Sequence, residues 1–288
     1  MHYRTLTPAD FSELYGAMCQ AFADYVVPMQ PTEAQFQEML TRRGVIYDLS
    51  AGAFEDGKLV GFTLNAVDEW NGGVTAYDIS TGVIPGFRGK GIAGDLFEYC
   101  RPQFKSRGVR QYQLEVIDQN TPAIKAYQKM GFETVRNLEC LILRSGAFHL
   151  LPQANGVLLC ELTAPDWEHL QSFWDWQPSW QNSIQSLHRS RVPKTILGAM
   201  RDGNCIGYGV IYPSNGDLAQ LAVARTCRRQ GIGTAILAGL IQHLSGETPV
   251  RAINIEATAD PTLQFCRKLG FVPLVSQLEM RLEVSTLS

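Results

Sequence analysis

Four short patterns occur twice in this chain, in the same order, and they constrain its architecture more than any other feature. Leu6-Thr7-Pro8-Ala9-Asp10-Phe11 returns 156 residues later as Leu162-Thr163-Ala164-Pro165-Asp166-Trp167. Gly52-Ala53-Phe54-Glu55-Asp56-Gly57, with Gly61-Phe62, returns after 146 as Gly198-Ala199-Met200-Arg201-Asp202-Gly203, with Gly207-Tyr208. Arg88-Gly89-Lys90-Gly91-Ile92-Ala93 returns after 140 as Arg228-Arg229-Gln230-Gly231-Ile232-Gly233. Lys129-Met130-Gly131-Phe132 returns after 139 as Lys268-Leu269-Gly270-Phe271. One such match is chance, because Asp-Gly and Gly-Phe pairs are common in turns. Four in register with a steadily falling offset mark two copies of one fold, the first with longer loops. The 288 residues suit two domains of ordinary size. We expect them at 1–146 and 156–288, meeting around 145–156, where turn formers mix with an apolar patch and imply packed rather than freely tethered domains.

Composition removes several classes of function. With 45% hydrophobic and 18% charged residues the chain has enough apolar surface to fold. A net charge of -3 provides no basic field for a nucleic acid backbone. No stretch reaches the roughly 18 apolar residues of a membrane span, and the first residues carry no apolar signal core, so a cytoplasmic protein is expected. The seven cysteines include no CxxC pair and the five histidines show no ligand spacing; reduced, mostly buried thiols and no metal are expected. Oligomeric state is left open.

Within the first copy, residues 8–23 place Phe11, Leu14, Tyr15, Met18 and Phe22 at helical spacing, and Thr32-x-x-Gln35 opens a second helix with a capping box. Residues 51–54 and 59–67 read as a hairpin around Glu55-Asp56-Gly57, and 75–83 as a further strand. Ile92, Leu96, Phe97, Cys100 and Phe104 form a helix stopped by Arg107-Gly108; 111–117 alternates as a strand; 121–130 is a helix with Pro122 in its first turn. This order predicts an α+β or mixed α/β sheet with both hairpins and crossovers.

The segment from Val83 to Gly94 joins a strand to a helix through glycines. Such a loop lets backbone amides and the positive helix end approach a phosphate or pyrophosphate. Gly89-Lys90-Gly91-Ile92-Ala93-Gly94 satisfies GxGxxG, with Glu115 downstream, so an NAD(P)-dependent oxidoreductase is a competing reading. Against it, the first glycine follows several loop residues including Pro85, the loop comes after a hairpin in mid-domain, and the second copy has Ile236 where a third glycine should stand. A Walker loop fits worse, since Ile84 takes the place of its first glycine and Gly91 follows Lys90.

The pattern Val83-x-Pro85-x-x-Arg88-x-x-Gly91-x-Ala93, followed by Asn120-x-x-Ala123-x-x-x-Tyr127-x-x-x-Gly131-Phe132, resembles the acetyl-CoA signature of the GNAT superfamily of N-acetyltransferases. The second copy resembles it in Val223, Arg228, Gly231, Ile232, Gly233 and Gly270-Phe271, so the likeness spans nearly the whole chain. It implies two tandem domains, each a mixed, mostly antiparallel sheet splayed between strands 4 and 5 with flanking helices, and acetyl-CoA lying in the gap. By this resemblance the amides of Arg88, Gly89, Lys90, Gly91, Ile92 and Ala93 would bind the pyrophosphate, and the backbone at Val83 would hold the acetyl carbonyl. Asn120 would touch the pantetheine arm, Ala123 belongs to the same cofactor-binding set, and Tyr127 would protonate the departing thiolate.

The copies are unequal. Ala259 stands where the first has Asn120, and Cys266 where it has Tyr127. Asp78 is the best candidate base, with Leu218 at its counterpart and Asp217 one position off; Glu115 is a weaker candidate. Trp167, Trp174, Trp176 and Trp180 crowd the start of the second copy, and the plain expectation is that they cover its sheet. The resulting expectation is an acetyl-CoA-dependent N-acetyltransferase acting on a small-molecule amine from its first half. Its rival from another class is an acetyl-CoA-binding regulatory or scaffold protein in which neither half turns over.

Overall fold

The computed structural model describes residues 1–25, 30–149, 154 and 156–284. In chain order its elements are β1 (His2–Thr5), α1 (Phe11–Ala21), α2 (Glu33–Arg43), β2 (Ala51–Glu55), β3 (Lys58–Trp70), β4 (Gly73–Val83), α3 (Ile92–Ser106), β5 (Gln111–Ile117), α4 (Thr121–Lys129) and β6 (Glu133–Leu143). There follow β7 (Leu158–Glu161), α5 (Trp167–Gln171), α6 (Ile184–Arg189), β8 (Thr195–Arg201), β9 (Asn204–Tyr212), β10 (Asp217–Val223), α7 (Ile232–Ile241), β11 (Val250–Glu256), α8 (Asp260–Lys268) and β12 (Val272–Glu283). No described helix is long and apolar enough to cross a membrane.

Two compact units result: Met1–Arg136 with the segment Leu278–Ser288, and Asn137–Gln277. Relative to the expected division at 1–146 and 156–288, the outer half of β6 packs in the second unit and the outer half of β12 in the first. Part of the expected junction, residues 150–153 and 155, lies outside the described residues. In the first unit the strand order is β1-β2-β3-β4-β5-β12, and in the second β7-β8-β9-β10-β11-β6. β1–β2 and β7–β8 are antiparallel across intervening helices, β2–β3–β4 and β8–β9–β10 are antiparallel through short turns, and β4–β5 and β10–β11 are parallel, joined through α3 and α7. The element order predicts a mixed sheet with hairpins and crossovers, and the mostly antiparallel form is the one the resemblance implies.

Local chemistry explains the elements. Thr32 and Gln35 bond reciprocally at the start of α2, Gln35 N–H to Thr32 Oγ1 at 3.2 Å and Thr32 N–H to Gln35 Oε1 at 2.9 Å. The β2–β3 turn puts Asp56 and Gly57 at φ 51° and 75°, both left-handed, as a two-residue hairpin requires. β3 runs past its expected end to Trp70 because Asn71-Gly72 (φ 50° and 79°) makes a second such turn into β4. In the first unit Leu96, Phe97 and Phe104 of α3 pack on Tyr112, Leu114 and Val116 of β5 and on Met280, Leu282 and Val284. Each fully buried large side chain of this kind contributes roughly 1.5–3 kcal/mol.

Candidate functional site

Each sheet comes apart at the same place. β4 and β5 pair only at Thr75–Gln111, Ala76–Tyr112 and Tyr77–Gln113, after which β4 runs on to Val83 and β5 to Ile117 without pairing with each other. β10 and β11 pair only at Asp217–Arg251. A bulge sits beside each opening: Asn65 faces Asp78 and Leu64 faces Ser80, leaving Ile79 extra, and Leu218 and Gln220 bracket Ala219 in the same way. The matching bulges fix Leu218 as the counterpart of Asp78.

At the end of β4, Ile84 N–H bonds Val60 O at 3.0 Å, which by strand alternation turns the polar groups of Val83 toward the gap. Ala224 N–H bonds Ile206 O at 2.9 Å and does the same for Val223. α2, α4, α5 and α6 all begin on a side chain that accepts a first-turn amide. α3 and α7 begin instead on Gly91 and Gly231, at φ 83° and 80°, with no side-chain cap. Their first amides are therefore left for a ligand, and the helix dipole favours a negative one. A Cβ built on Gly89, Gly91 or Gly94 would meet only open space, so these glycines are required by the left-handed turn at Gly89 and Gly91 and by access to the backbone, not by packing. At Gly233 a Cβ would press on the Phe265 ring at 3.2 Å.

The side chains of the loop point elsewhere. Ile92 and Ile232 are core residues. Lys90 Nζ lies 4.7 Å from the Phe87 ring centre. Arg88 donates to Val83 O (3.1 Å), to Ala21 O (2.9 Å) and with two nitrogens to Asp24 (2.7 Å each). Arg228 repeats the clamp on Val223 O (2.9 Å), Phe173 O (3.0 Å) and Asp175 (2.7 Å). Both arginines thus tie the strand end to the loop after the unit's first helix and leave only backbone for an anion. Asp24 and Asp175 went unnoticed in the sequence, although their separation of 151 falls between the neighbouring repeat offsets of 156 and 146.

On the α3–α4 side of the first opening, Tyr127 and Asp78 meet. The Tyr127 hydroxyl donates to Asp78 Oδ2 at 3.2 Å, Thr81 Oγ1 donates to the same oxygen at 2.7 Å, and Thr63 and Thr81 share a hydrogen bond of 2.8 Å. Asp78 Oδ1 has no partner among the described residues. Burial pushes the Asp78 carboxyl up to about 6, against the opposing pull of the Thr81 and Tyr127 hydroxyls and Arg43. Burial, and then the charge of Asp78, hold the Tyr127 phenol well above its ordinary value, so it keeps its proton at neutral pH. Asn120 Oδ1 accepts Ala123 N–H at 3.3 Å and so caps α4, while the Tyr25 hydroxyl bonds the Asn120 side chain. Glu115 lies with Tyr77, which donates to its Oε2; burial first, then Glu279, push its carboxyl up to about 7, and its Oε1 has no partner among the described residues.

The second unit keeps the cradle and lacks these groups. Leu218 stands for Asp78, Leu221 for Thr81, Gly209 for Thr63, Ala259 for Asn120 and Cys266 for Tyr127. Burial pushes the Cys266 thiol up to about 12. The opening is nevertheless a real cleft of about 640 Å3. The tryptophans divide between two roles: Trp180 is buried and Trp167 packs against Tyr208, as covering the sheet requires, but Trp174 and Trp176 line the cleft.

Comparison with known proteins agrees with this geometry. The model of the acetyltransferase (GNAT) family matches residues 12–132 and 158–271. The streptothricin acetyltransferase of Streptomyces lavendulae is 43% identical over 77 residues, which are 27% of this chain and 40% of that relative, well under two thirds of its length. Among solved structures, a GCN5-related N-acetyltransferase from Sphaerobacter thermophilus has a TM-score of 0.76 at 16% identity, over 98% of this chain and 95% of that one. A tandem GNAT protein from the clavulanic acid biosynthesis pathway has a TM-score of 0.75 at 18% identity, over 98% of both chains. These last two are similar in fold.

Proposed function

Because the chain belongs to the acetyltransferase (GNAT) family, we propose that its first unit moves the acetyl group of acetyl-CoA to the amine of a small molecule. The observation that carries this reading is the contact between Tyr127 and Asp78 beside an uncapped, glycine-started helix. The residues present fit the co-substrate: the amides of 88–93 suit its pyrophosphate, the Val83 backbone its acyl carbonyl, and Asn120 and Ala123 its pantetheine arm. Acetyl-CoA, when bound, supplies an activated acyl carbon and a thiolate leaving group.

Transfer then needs a proton removed from the amine and one delivered to sulfur, as the C–N bond forms and the C–S bond breaks. Asp78 takes the amine proton on its unpartnered Oδ1. Tyr127 gives its own to the thiolate. The proton gained at Asp78 Oδ1 balances the one given up by Tyr127, and exchange with water resets both groups. The second unit, with Leu218, Leu221 and Cys266 in these places, binds through Val223, Arg228 and 231–233 without turning over.

Acetyl-CoA should raise the melting temperature by several degrees, because a ligand at a hundred times its Kd contributes about 2.7 kcal/mol. NAD and NADP should not. A shift with NAD or NADP and none with CoA or acetyl-CoA would move the assignment to a dinucleotide enzyme.

Asp78 also makes a pH-dependent prediction. In the unfolded chain its carboxyl ionises near 3.9, in the folded one near 6, so between those values the folded state binds more protons. Its contribution therefore turns unfavourable as pH rises through that window, reaching on the order of 2–3 kcal/mol at pH 7.5. Asp78→Asn keeps an acceptor for Thr81 and Tyr127 and removes the charge. The variant should melt several degrees higher than the parent at pH 7.5, equally at pH 4, and transfer acetyl far more slowly. Lower stability at pH 7.5 would mean that Asp78 is held as a stabilising carboxylate.

A further inference from the structure

The cleft of the second unit contains the anionic-ligand cradle and, among the described residues of its lining, no carboxylate besides Asp175 and no tyrosine. Its lining includes Leu218, Leu221, Ala252, Ile255, Phe265 and Cys266, together with Trp174 and Trp176. Polar residues of the same lining, Trp174, Gln220, Asn182 and Asn254, are engaged in hydrogen bonds within the protein. Trp174 Nε1 donates to the Tyr208 hydroxyl at 2.6 Å, that hydroxyl donates to Gln220 Oε1 at 2.7 Å, and Gln220 Nε2 donates to Asn182 O at 2.6 Å. Asn254, held in the left-handed region at φ 61° by a bulge in β11, is tied to Ser179 Oγ and Cys140 Sγ. Asp175, the carboxylate of the cleft wall among the described residues, is paired with Arg225 and Arg228.

The volume of about 640 Å3, which includes the cradle at 228–234, is within the range of small-molecule sites. Where the first unit meets its opening with Asp78, Thr81 and Tyr127, the second places Leu218, Leu221 and Cys266 there, with Ala252, Ile255, Phe265, Trp174 and Trp176 in the same cleft lining. An unpaired charge or amine placed there would be desolvated without compensation, whereas a hydrocarbon would not. From this we infer that the second unit binds an acyl-CoA with an apolar acyl chain longer than acetyl, the chain filling the space an acceptor would occupy, and holds it unreacted. The identity of the head group rests on the family reading above; the apolar tail rests on the wall.

Each buried methylene favours binding by roughly fourfold, so a hexanoyl chain has ample room to outbind acetyl. The test is titration of the full chain with CoA, acetyl-CoA, butyryl-CoA, hexanoyl-CoA and free hexanoate, following tryptophan emission. Hexanoyl-CoA should quench it with at least tenfold lower Kd than acetyl-CoA, and free hexanoate should not. Trp176→Phe should reduce the signal. Leu221→Asp should remove the chain-length preference while acetyl transfer by the first unit stays at the parent rate; if that variant misfolds, the chain-length series on the parent protein decides alone. In the Tyr127→Phe variant with hexanoyl-CoA and an amine panel, chromatography should show thioester consumption reduced at least tenfold from the parent.

Equal Kd for acetyl-CoA and hexanoyl-CoA, emission indifferent to hexanoyl-CoA, or hexanoyl transfer surviving in Tyr127→Phe at the parent rate would each overturn the inference. The two readings fail separately. Absence of acetyl transfer with a retained chain-length series removes the proposed activity and leaves this site, and acetyl transfer without that series does the reverse.

Discussion

Replacing Tyr127 with Phe is expected to lower the single-turnover rate of acetyl transfer roughly ten- to a thousandfold and to leave acetyl-CoA affinity nearly intact. The ring stays, and with it the packing against Phe132 at 5.5 Å between centroids. Only the hydroxyl is lost, and Asp78 Oδ2 keeps Thr81 as a donor, so the fold is little disturbed. The loss falls on the leaving thiolate, which must then be protonated by water. Cys266→Ala, its counterpart in the second unit, should leave the rate unchanged, because burial holds that thiol near 12 and neither a carboxylate nor a threonine hydroxyl occupies the matching strand positions. A panel of amines with a thiol-detecting reagent finds the acceptor; rapid mixing then gives the rate. A Phe variant with full activity, alongside loss of activity on disrupting 231–233, would transfer the chemistry to the second unit.

How much of this was legible in the sequence depends on the physical origin of each feature. Gly91 and Gly231 could be read because a left-handed residue before a helix leaves a glycine wherever the fold is copied. The inequality of the units was equally plain, since Tyr127 and Cys266 occupy one aligned position. The contact of Tyr127 with Asp78 was not: it joins α4 to β4, and the bulge at Ile79 that marks the register there has no signature in the residues themselves. Trp174 and Trp176 were expected to cover a sheet, and composition alone does not distinguish a covering ring from one that walls a cleft. The Asn71-Gly72 pair is a turn signal, but the apolar alternation of β3 fades before Trp70, so the pattern marks the strand's end short of that turn.

The least legible feature is the ownership of the last strands, and it yields the second large effect. Residues 133–143 alternate as one uninterrupted strand, so nothing in their pattern marks Arg136–Asn137 as the point where the chain passes from one compact unit to the other. The first unit is completed from the far end of the sequence, by Met280 and Val284 with no exposure and Leu282 at 4%. Val284 N–H bonds Arg110 O at 2.7 Å, Gln111 bonds Glu283, and Arg136 pairs with the buried carboxylate of Glu279. A fragment ending at residue 146 loses three buried side chains, about 5–9 kcal/mol together, plus those backbone and ionic bonds. That is comparable to the whole stability of a domain, 5–15 kcal/mol. It also exposes the apolar outer half of β6, with Leu138, Leu141 and Leu143, as an unpaired edge. The expected result is that fragment 1–146 shows no cooperative melting by circular dichroism and aggregates, whereas residues 1–136 joined by a short Gly-Ser linker to 278–288 melt cooperatively. Cooperative melting of fragment 1–146 would mean that residues 137–143 fold back into the place of 278–284, and the ownership of the strand would then be a choice the chain makes only when both ends are present.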